Sequence, residues 1–312
     1  MIPVSRVCCF ALGLMMCFIL VLSAVPNARA TDAASKKMRI GITLHPYYSF
    51  ASNIVGDHAT VVPLIDAGFN PHSYVPKPDD MKRIMTLDAL IVNGIGHDEW
   101  AFEVVEASGL KDKLPLIYAN DGVALIPVAG DQGDTKIVNP HTFIATTAAI
   151  QQVYTIARKL GAIDPYNATY YSKNARKYAM RLRRMKAKYM KDFSKLDVSN
   201  FRCATMHGAY GYLMQEFGLH VAAVIEPRHG VKPSPSQMAR TIDAIEKANV
   251  SVLFAEKFFA SKLADTIREA TGVRMYSFSH ITGGEYEADK FEREMEQNLI
   301  TLRDAIRSVS EQ

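Results

Sequence analysis

Two histidines stand at the ends of predicted strands, where side chains most readily form a binding site. His207 directly follows the apolar run Cys203–Met206, and His280 lies just past Val273–Phe278. In open α/β sheets, ligands bind beyond the carboxyl ends of the strands. Imidazole is a good ligand for zinc and other first-row metals, whereas calcium and magnesium prefer oxygen. The two histidines are therefore candidate ligands of a transition metal, and a surface or hydrogen-bonded role is the alternative for each of them.

Two more histidines follow turns in the first half of the chain. His72 comes after the predicted strand Val61–Ile65 and a turn, and His141 stands after an Asn-Pro pair before the predicted helix Phe143–Leu160. The positive end of that helix disfavours imidazolium, so we expect His141 to be neutral and able to bind a cation. With two residues from each half, the site is expected in a cleft between domains. The candidate ligand set is His72, His141, His207 and His280.

The elements that would position these residues alternate between short apolar runs and longer helical patterns. Continuous apolar runs are typical of parallel strands that are covered on both faces, so we predict an α/β fold with a βα layer in each half. The predicted strands are Arg39–Leu44, Val61–Ile65, Ala89–Val92, Leu114–Tyr118, Cys203–Met206, Val221–Ile225, Val250–Ala255 and Val273–Phe278. Helices are predicted between them, including Pro235–Asn249 and Ala260–Thr271.

A long amphipathic helix is predicted between the halves, over residues 164–196. Its apolar stripe, at steps of four and three, consists of Tyr171, Ala175, Tyr178, Leu182, Met185 and Tyr189. The opposite face is basic, with Arg176, Lys177, Arg181, Arg183, Arg184, Lys188 and Lys191. We interpret this face as solvated, and a docking face for an acidic partner is the alternative.

Residues 1–30 have the pattern of a cleaved secretory signal. Arg6 is followed by the uncharged run Val7–Val25, a proline, and the small-x-small sequence that ends at Ala30. We predict cleavage after Ala30 and a periplasmic mature protein; an uncleaved membrane anchor is the alternative. Only Cys203 would then remain, which excludes an internal disulfide.

Composition and charge indicate a globular protein and give no sign of nucleic-acid binding. The chain has 312 residues, of which 48% are hydrophobic and 22% charged, as in an ordinary globular protein of about two domains. Beyond the signal, 34 basic residues face 32 acidic ones. So small an excess gives no reason to expect nucleic acid as a partner.

The motifs around the histidines resemble the zinc/manganese solute-binding proteins of bacterial ABC importers (cluster A-I). Gly68–Tyr74 is similar to the family's G-x-D-P-H-x-Y segment, and Asn139–His141 to its D-P-H motif, with Asn in place of Asp. Met206–Tyr212 resembles the motif of the third ligand, H-x-A-[FY]-G-Y. The resemblance extends over nearly all of the mature chain.

The resemblance implies two βα lobes with mainly parallel four-stranded sheets, one long rigid connecting helix, and a metal site in the cleft. The expected boundaries are 1–30 for the signal, 31–163 for the first lobe, 164–196 for the helix and 197–312 for the second lobe. The implied function is non-enzymatic capture of Zn²⁺ for a membrane permease, with Mn²⁺ or Fe²⁺ as the alternative cargo. We expect a monomer, which a periplasmic metallochaperone would load.

The fourth ligand departs from the family's pattern. An acidic residue is usual where this chain has Phe278, and His280, two positions on, is the natural substitute. Residues two apart on a strand point to the same side, which favours this substitution. Glu285 or water completing a three-histidine site remain the alternatives.

The residue types favour zinc over manganese. Members that carry manganese tend to have Glu where this chain has His207, and nitrogen ligands favour zinc. The His-rich acidic loop of many zinc-binding members is missing from residues 130–136. The carboxylates expected near the ligands are Glu99, Glu226 and Glu256. His45 is at most accessory, and His58, His97, His220 and His229 have no motif around them.

Two other functions compete with the carrier. In a zinc hydrolase, His72, His141 and His207 would hold a metal with an open fourth position that ionises water. In an adhesin, the metal would be structural, and the fold would be lost with it. The sequence offers no general base or substrate-pocket motif beside the histidines, which favours the carrier.

Overall fold

The computed structural model describes residues 37–69, 71, 74–128, 137–226, 234–257 and 262–311. The predicted signal and its cleavage site at Ala30, together with His72 and His229, lie outside the described residues. Across the described ranges, the helices are either too short or too polar to span a bilayer.

The first lobe is built on a parallel four-stranded sheet in the order β2-β1-β3-β4. Its central strands are continuous apolar runs, and every residue of Ala89–Val92 is buried, as expected for a sheet covered on both faces. The strands are β1 Met38–Ile42, β2 Ala59–Pro63, β3 Ala89–Val92 and β4 Leu116–Tyr118. The helices are α1 His45–Val55, α2 Pro78–Ile84, α3 Glu99–Ala107 and α4 Thr146–Ile163.

The second lobe repeats this arrangement, with a parallel sheet in the order β6-β5-β7-β8. Its strands are β5 Cys203–His207, β6 Val221–Glu226, β7 Val252–Glu256 and β8 Arg274–Phe278. Its helices are α6 Gly211–Glu216, α7 Pro235–Lys247, α8 Lys262–Thr271 and α9 Lys290–Ser310. All eight predicted strands are therefore confirmed, with ends that differ by at most two residues.

The connecting helix is α5, Ala168–Phe193, shorter at both ends than the predicted segment 164–196. Its predicted apolar stripe is buried except for Met185, which is partly buried against the same core. Two residues of the basic face form ion pairs with α9, since Arg181 contacts Glu292 and Lys188 contacts Glu296, both at 2.8 Å.

One hydrophobic core runs through both lobes. It joins residues of the first sheet, α5, β5, β7 and α9, and each lobe has a further hydrophobic cluster of its own. Phe291 at the start of α9 packs edge-on against Phe50 of α1, with ring centroids 4.8 Å apart. Helix α9 thus contributes to a core that the two lobes share.

Candidate metal centre

Three of the four predicted ligands come together at the meeting point of the lobes. One potential ligand atom from each of His141, His207 and His280 lies within 4.8 Å of the other two. The side chains are 4%, 5% and 4% exposed, so the cluster is withdrawn from bulk water. His207 is the last residue of β5, and the other two lie in loops beside it. The fourth predicted ligand, His72, lies outside the described residues.

His141 and His207 face each other through their Nε2 atoms, which are 3.0 Å apart. Asn139 Oδ1 accepts the backbone N–H of His141 at 3.0 Å and lies 2.8 Å from its Nδ1. The same amide donates through Nδ2 to the Gly208 carbonyl, which identifies Oδ1 as an acceptor. His141 therefore carries its proton on Nδ1, and the lone pair of Nε2 points at His207.

A layer of neutral amides supports the His141 segment. Asn93 donates to the Pro140 carbonyl at 3.1 Å, and Asn120 Oδ1 accepts from Thr142 Oγ1 at 2.7 Å and from Gln152 Nε2 at 2.8 Å. We call Asn93, Asn120 and Gln152 the amide scaffold. Its uncharged groups hold the carbonyl of Pro140 and the hydroxyl of Thr142, one on each side of His141.

The predicted reason for a neutral His141 is wrong. A 3₁₀ turn follows His141, and α4 begins only at Thr146. The N-terminus of α4 is occupied by Glu216, whose carboxylate accepts the backbone N–H groups of Thr146 and Thr147. The hydrogen bond from Nδ1 to Asn139, rather than the field of a helix, sets the tautomer of His141.

His280 reaches the cluster from the loop 279–289 between β8 and α9, which we call the strap. Its Nδ1 lies 2.7 Å from Thr282 Oγ1. Because β8 ends at Phe278, the expectation that His280 shares a strand face with Phe278 is wrong. Phe278 instead stacks on Phe254 in the core, with ring centroids 4.0 Å apart.

The backbone beside His280 is strained. Ile281 has φ of 63°, in the left-handed region that β-branched residues rarely adopt. Asn298 of α9 makes two hydrogen bonds to the backbone of Ser279, the residue before His280. Its Oδ1 accepts the Ser279 N–H at 2.7 Å, and its Nδ2 donates to the Ser279 carbonyl at 2.8 Å. This pair of bonds and the burial of Ile281 offset the strain and aim His280 at the other histidines.

The strap is also bound to the first lobe. His45 Nε2 donates to the Gly284 carbonyl at 2.8 Å, and its ring stacks on Tyr286 with centroids 4.0 Å apart. Tyr286 donates to the Ile65 carbonyl at 2.7 Å. Burial lowers the pKa of His45 to about 4, so His45 is neutral near pH 7. His45 was expected to be an accessory of the cleft, and it acts here as an anchor of the strap.

A buried carboxylate organises the loop after β3. Asp98 is fully buried and accepts the backbone N–H groups of Asn93 and Gly94 and the hydroxyl of Thr43. Burial raises the pKa of Asp98 to about 6, while these three hydrogen bonds favour its charged form. Through Asn93, this carboxylate is linked to the carbonyl that precedes His141.

The other candidate acids lie in different surroundings. Glu285 and Glu99 are exposed, and neither belongs to the buried cluster. Glu256 ends β7 and is 4% exposed, whereas the side chain of Glu226 lies outside what the structure describes.

Sequence reasoning missed His97, which lies beside the cluster. Its ring centroid is 4.5 Å from that of His141 and 6.4 Å from that of His280. The residue is 9% exposed and has φ of 76°. Its position in the loop after β3 was the available signal, because that loop also leaves the carboxyl end of a strand.

The arrangement suits a first-row metal ion. Two imidazole nitrogens on one tetrahedral zinc, each at about 2.0–2.1 Å from it, lie about 3.3 Å from each other. The 3.0 Å between the Nε2 atoms of His141 and His207 is close to that value. A third buried imidazole nitrogen within 4.8 Å completes a nitrogen-rich set, which zinc and its neighbours prefer to calcium or magnesium.

Comparison with known proteins agrees with this chemistry. Residues 40–305 match the family model described as "Zinc-uptake complex component A periplasmic". The chain is 27% identical, over 93% of its length and 95% of the relative's, to the high-affinity zinc uptake system protein ZnuA of Bacillus subtilis. It is 24% identical, over 92% and 95% of the two chains, to the manganese ABC transporter substrate-binding lipoprotein PsaA of Streptococcus pneumoniae.

Solved structures show the same fold. A structure of the SBP FpvC of Pseudomonas aeruginosa in complex with Mn²⁺ is 51% identical, with a TM-score of 0.83, over 88% of this chain and all of that one. A second FpvC structure, in complex with Ni²⁺, is also 51% identical, with a TM-score of 0.82 over 88% and 98% of the two chains. The family match spans well over half of the sequence. The chain therefore belongs to the family of periplasmic zinc-uptake complex component A proteins.

Proposed function

We propose that this protein is an extracytoplasmic substrate-binding protein that captures a divalent transition-metal ion and delivers it to an ABC-type permease in the inner membrane. The observation that carries the proposal is the buried cluster of His141, His207 and His280. Its members come from both lobes, so an ion held there is enclosed by the whole fold. A carrier needs such a site to retain its cargo in dilute solution.

The proposed ligands are these three histidines together with His72. His72 enters on the sequence motif alone, since it follows the turn that ends at Pro71. The proposed cargo is Zn²⁺, because a set of neutral imidazoles favours zinc over manganese. Relatives named for zinc and for manganese, and FpvC structures with Mn²⁺ and Ni²⁺, make Mn²⁺ or Fe²⁺ the alternative cargo.

Family membership also bears on the partners and the location. The matched proteins are substrate-binding components of uptake systems, which supports a permease partner and argues against an enzyme. A periplasmic location with cleavage after Ala30, a monomeric state and loading by a metallochaperone belong to the same proposal. Mass spectrometry of the exported protein, sedimentation and pull-down of periplasmic partners test these three points.

Metal competition tests the proposal directly. Purified metal-free protein is titrated with Zn²⁺, with Mn²⁺ and, without oxygen, with Fe²⁺ against chelators of known affinity. We expect one tightly bound ion per chain, Zn²⁺ before the others, and severe weakening in His207→Ala. The matched control is His220→Ala, because His220 is an exposed histidine of the same lobe. Absence of stoichiometric binding by the wild type contradicts the proposal, and preference for another ion corrects the cargo.

A further inference from the structure

Two hydrogen-bonding side chains tie the lobes together beside the candidate ligands. Asn139, in the first lobe, donates through Nδ2 to the carbonyl of Gly208, the residue after His207, at 2.8 Å. Tyr212 of α6, in the second lobe, donates to the carbonyl of Asn139 at 2.9 Å and accepts the N–H of Ile126 at 3.1 Å. We call Asn139 and Tyr212, with the three backbone groups they bind, the interlobe clasp.

The clasp depends on close packing at the start of α6. A Cβ atom on Gly211 would lie 3.2 Å from a side-chain carbon of Ile126 and 3.5 Å from the amide nitrogen of Asn139. Asn139 is 3% exposed and Tyr212 is 6% exposed, so both make their hydrogen bonds away from bulk water. Buried hydrogen bonds of this kind are costly to break, because the separated groups find no replacement partners.

The clasp uses the amide of Asn139 in both senses. Its oxygen accepts from the backbone N–H of His141 and faces Nδ1 of the same histidine, and its nitrogen donates across the lobe boundary. An ionised carboxylate at this position accepts equally well but has no hydrogen to donate to Gly208. The asparagine therefore orients one histidine and at the same time fixes the backbone next to another.

We propose that the interlobe clasp is a positioning device that holds His141 and His207 as a preformed pair in the metal-free protein. This inference rests on the proposed function. The free-energy cost of bringing the lobes together on metal binding is then small, because the two Nε2 atoms are already 3.0 Å apart. This pair then stays in place during capture and release.

Three variants test the clasp by the affinity and the dissociation rate of the metal. Tyr212→Phe removes two interlobe hydrogen bonds without touching a histidine, and we expect binding to weaken about tenfold. Asn139→Ala also frees the ring of His141, and we expect a loss of about 100-fold. In the double variant the loss should stay well below the product of the two, because both substitutions cut the same connection. The matched control is Tyr166→Phe, at a tyrosine that is 95% exposed.

Two readouts separate positioning from general stability. The visible spectrum of bound Co²⁺ reports ligand geometry, and we expect it to change in Tyr212→Phe and not in Tyr166→Phe. In metal-free wild type, ¹⁵N NMR should show the Nδ1–H tautomer of His141 with slow exchange of that proton, a test that needs no variant.

The outcomes distinguish this inference from the proposed function. Suppose that the wild type binds metal and that both single variants keep its affinity and its Co²⁺ spectrum. This result would overturn the clasp and leave the proposed carrier function intact. A fully multiplicative loss in the double variant would also overturn it as a unit. If the wild type binds no metal, the proposed function fails, and rapid exchange of the His141 proton in the metal-free protein would independently refute the clasp.

Discussion

His141 and His280 reach the same cluster from supports of opposite character. The His141 segment rests on the neutral amide scaffold of its own lobe, with hydrogen bonds on both sides of the residue. His280 lies on the strap, which is anchored in both lobes and contains a residue in the left-handed region. The difference indicates one ligand fixed by the amide scaffold and the interlobe clasp, and another carried on a strained loop that spans the two lobes.

The largest expected effect is the loss of metal affinity when either His141 or His280 is replaced. Zinc sites of four ligands bind with about 10–16 kcal/mol, so one ligand is worth about 3 kcal/mol, or about 100-fold in affinity. We expect His141→Ala to lose at least this much. His280→Ala should lose about tenfold less than His141→Ala, because water can take the place of a ligand on a less rigid support. Equal losses, measured by chelator competition with His220→Ala as the control, would contradict the comparison.

The supports themselves should differ in stability. Asn120 makes four buried hydrogen bonds, to Thr142, to Gln152 and two to Asn93. We expect Asn120→Ala to lower the free energy of unfolding by about 3 kcal/mol, because several buried partners are left without hydrogen bonds. Thr282→Ala on the strap should cost about 1 kcal/mol. Urea unfolding of the metal-free variants gives both values, and the reverse order would show that the scaffold is not the stiffer support.

Acid should loosen the strap through His45. The pKa of His45 is about 4 in the folded protein and about 6.5 when unfolded, so the unfolded state binds more protons between these values. Stability from this group is present above pH 6.5 and is lost as the pH falls toward 4. We expect the wild type to lose about 2–3 kcal/mol more than His45→Phe between pH 7 and pH 4.

The phenylalanine of that variant keeps a ring against Tyr286 and removes the titration. The raised pKa of Asp98 acts in the opposite direction, since its stability contribution falls as the pH rises from 3.8 to about 6. Asp98 is present in both the wild type and His45→Phe, so its contribution cancels when their unfolding free energies are subtracted. Parallel pH profiles of the two unfolding free energies would argue against His45 as the acid-sensitive anchor.

The smallest effect concerns Ile281. Replacing Ile281 by alanine or by glycine removes a buried side chain. Glycine also relieves the strain of the left-handed backbone, which has φ of 63°. We expect Ile281→Gly to be more stable than Ile281→Ala by about 1 kcal/mol, the reverse of the order at an ordinary position. Thermal unfolding of the two variants measures the difference, and a more stable alanine variant would show that the strap carries no strain there.

Much of this organisation follows from the sequence, because apolar runs and strand ends are local features. The eight strands were predicted in this way, whereas the convergence of His141, His207 and His280 was predicted from their positions together with the family motifs around them. The loops were not predictable, since their conformations depend on distant partners. His97 lies beside the cluster because its backbone is left-handed, and the tautomer of His141 depends on a hydrogen bond to Asn139. Neither has a periodic signal.

The C-terminal helix α9 constrains the order in which the chain can fold. Its first turn packs against α1 through Phe291 and Phe50, and Arg181 of α5 pairs with Glu292. The side of the first lobe that faces the shared core therefore cannot be covered before α9 has left the ribosome. Synthesis of the first half alone gives a lobe that lacks the contacts of α9, so the packing of this lobe is complete only after α9 has been made.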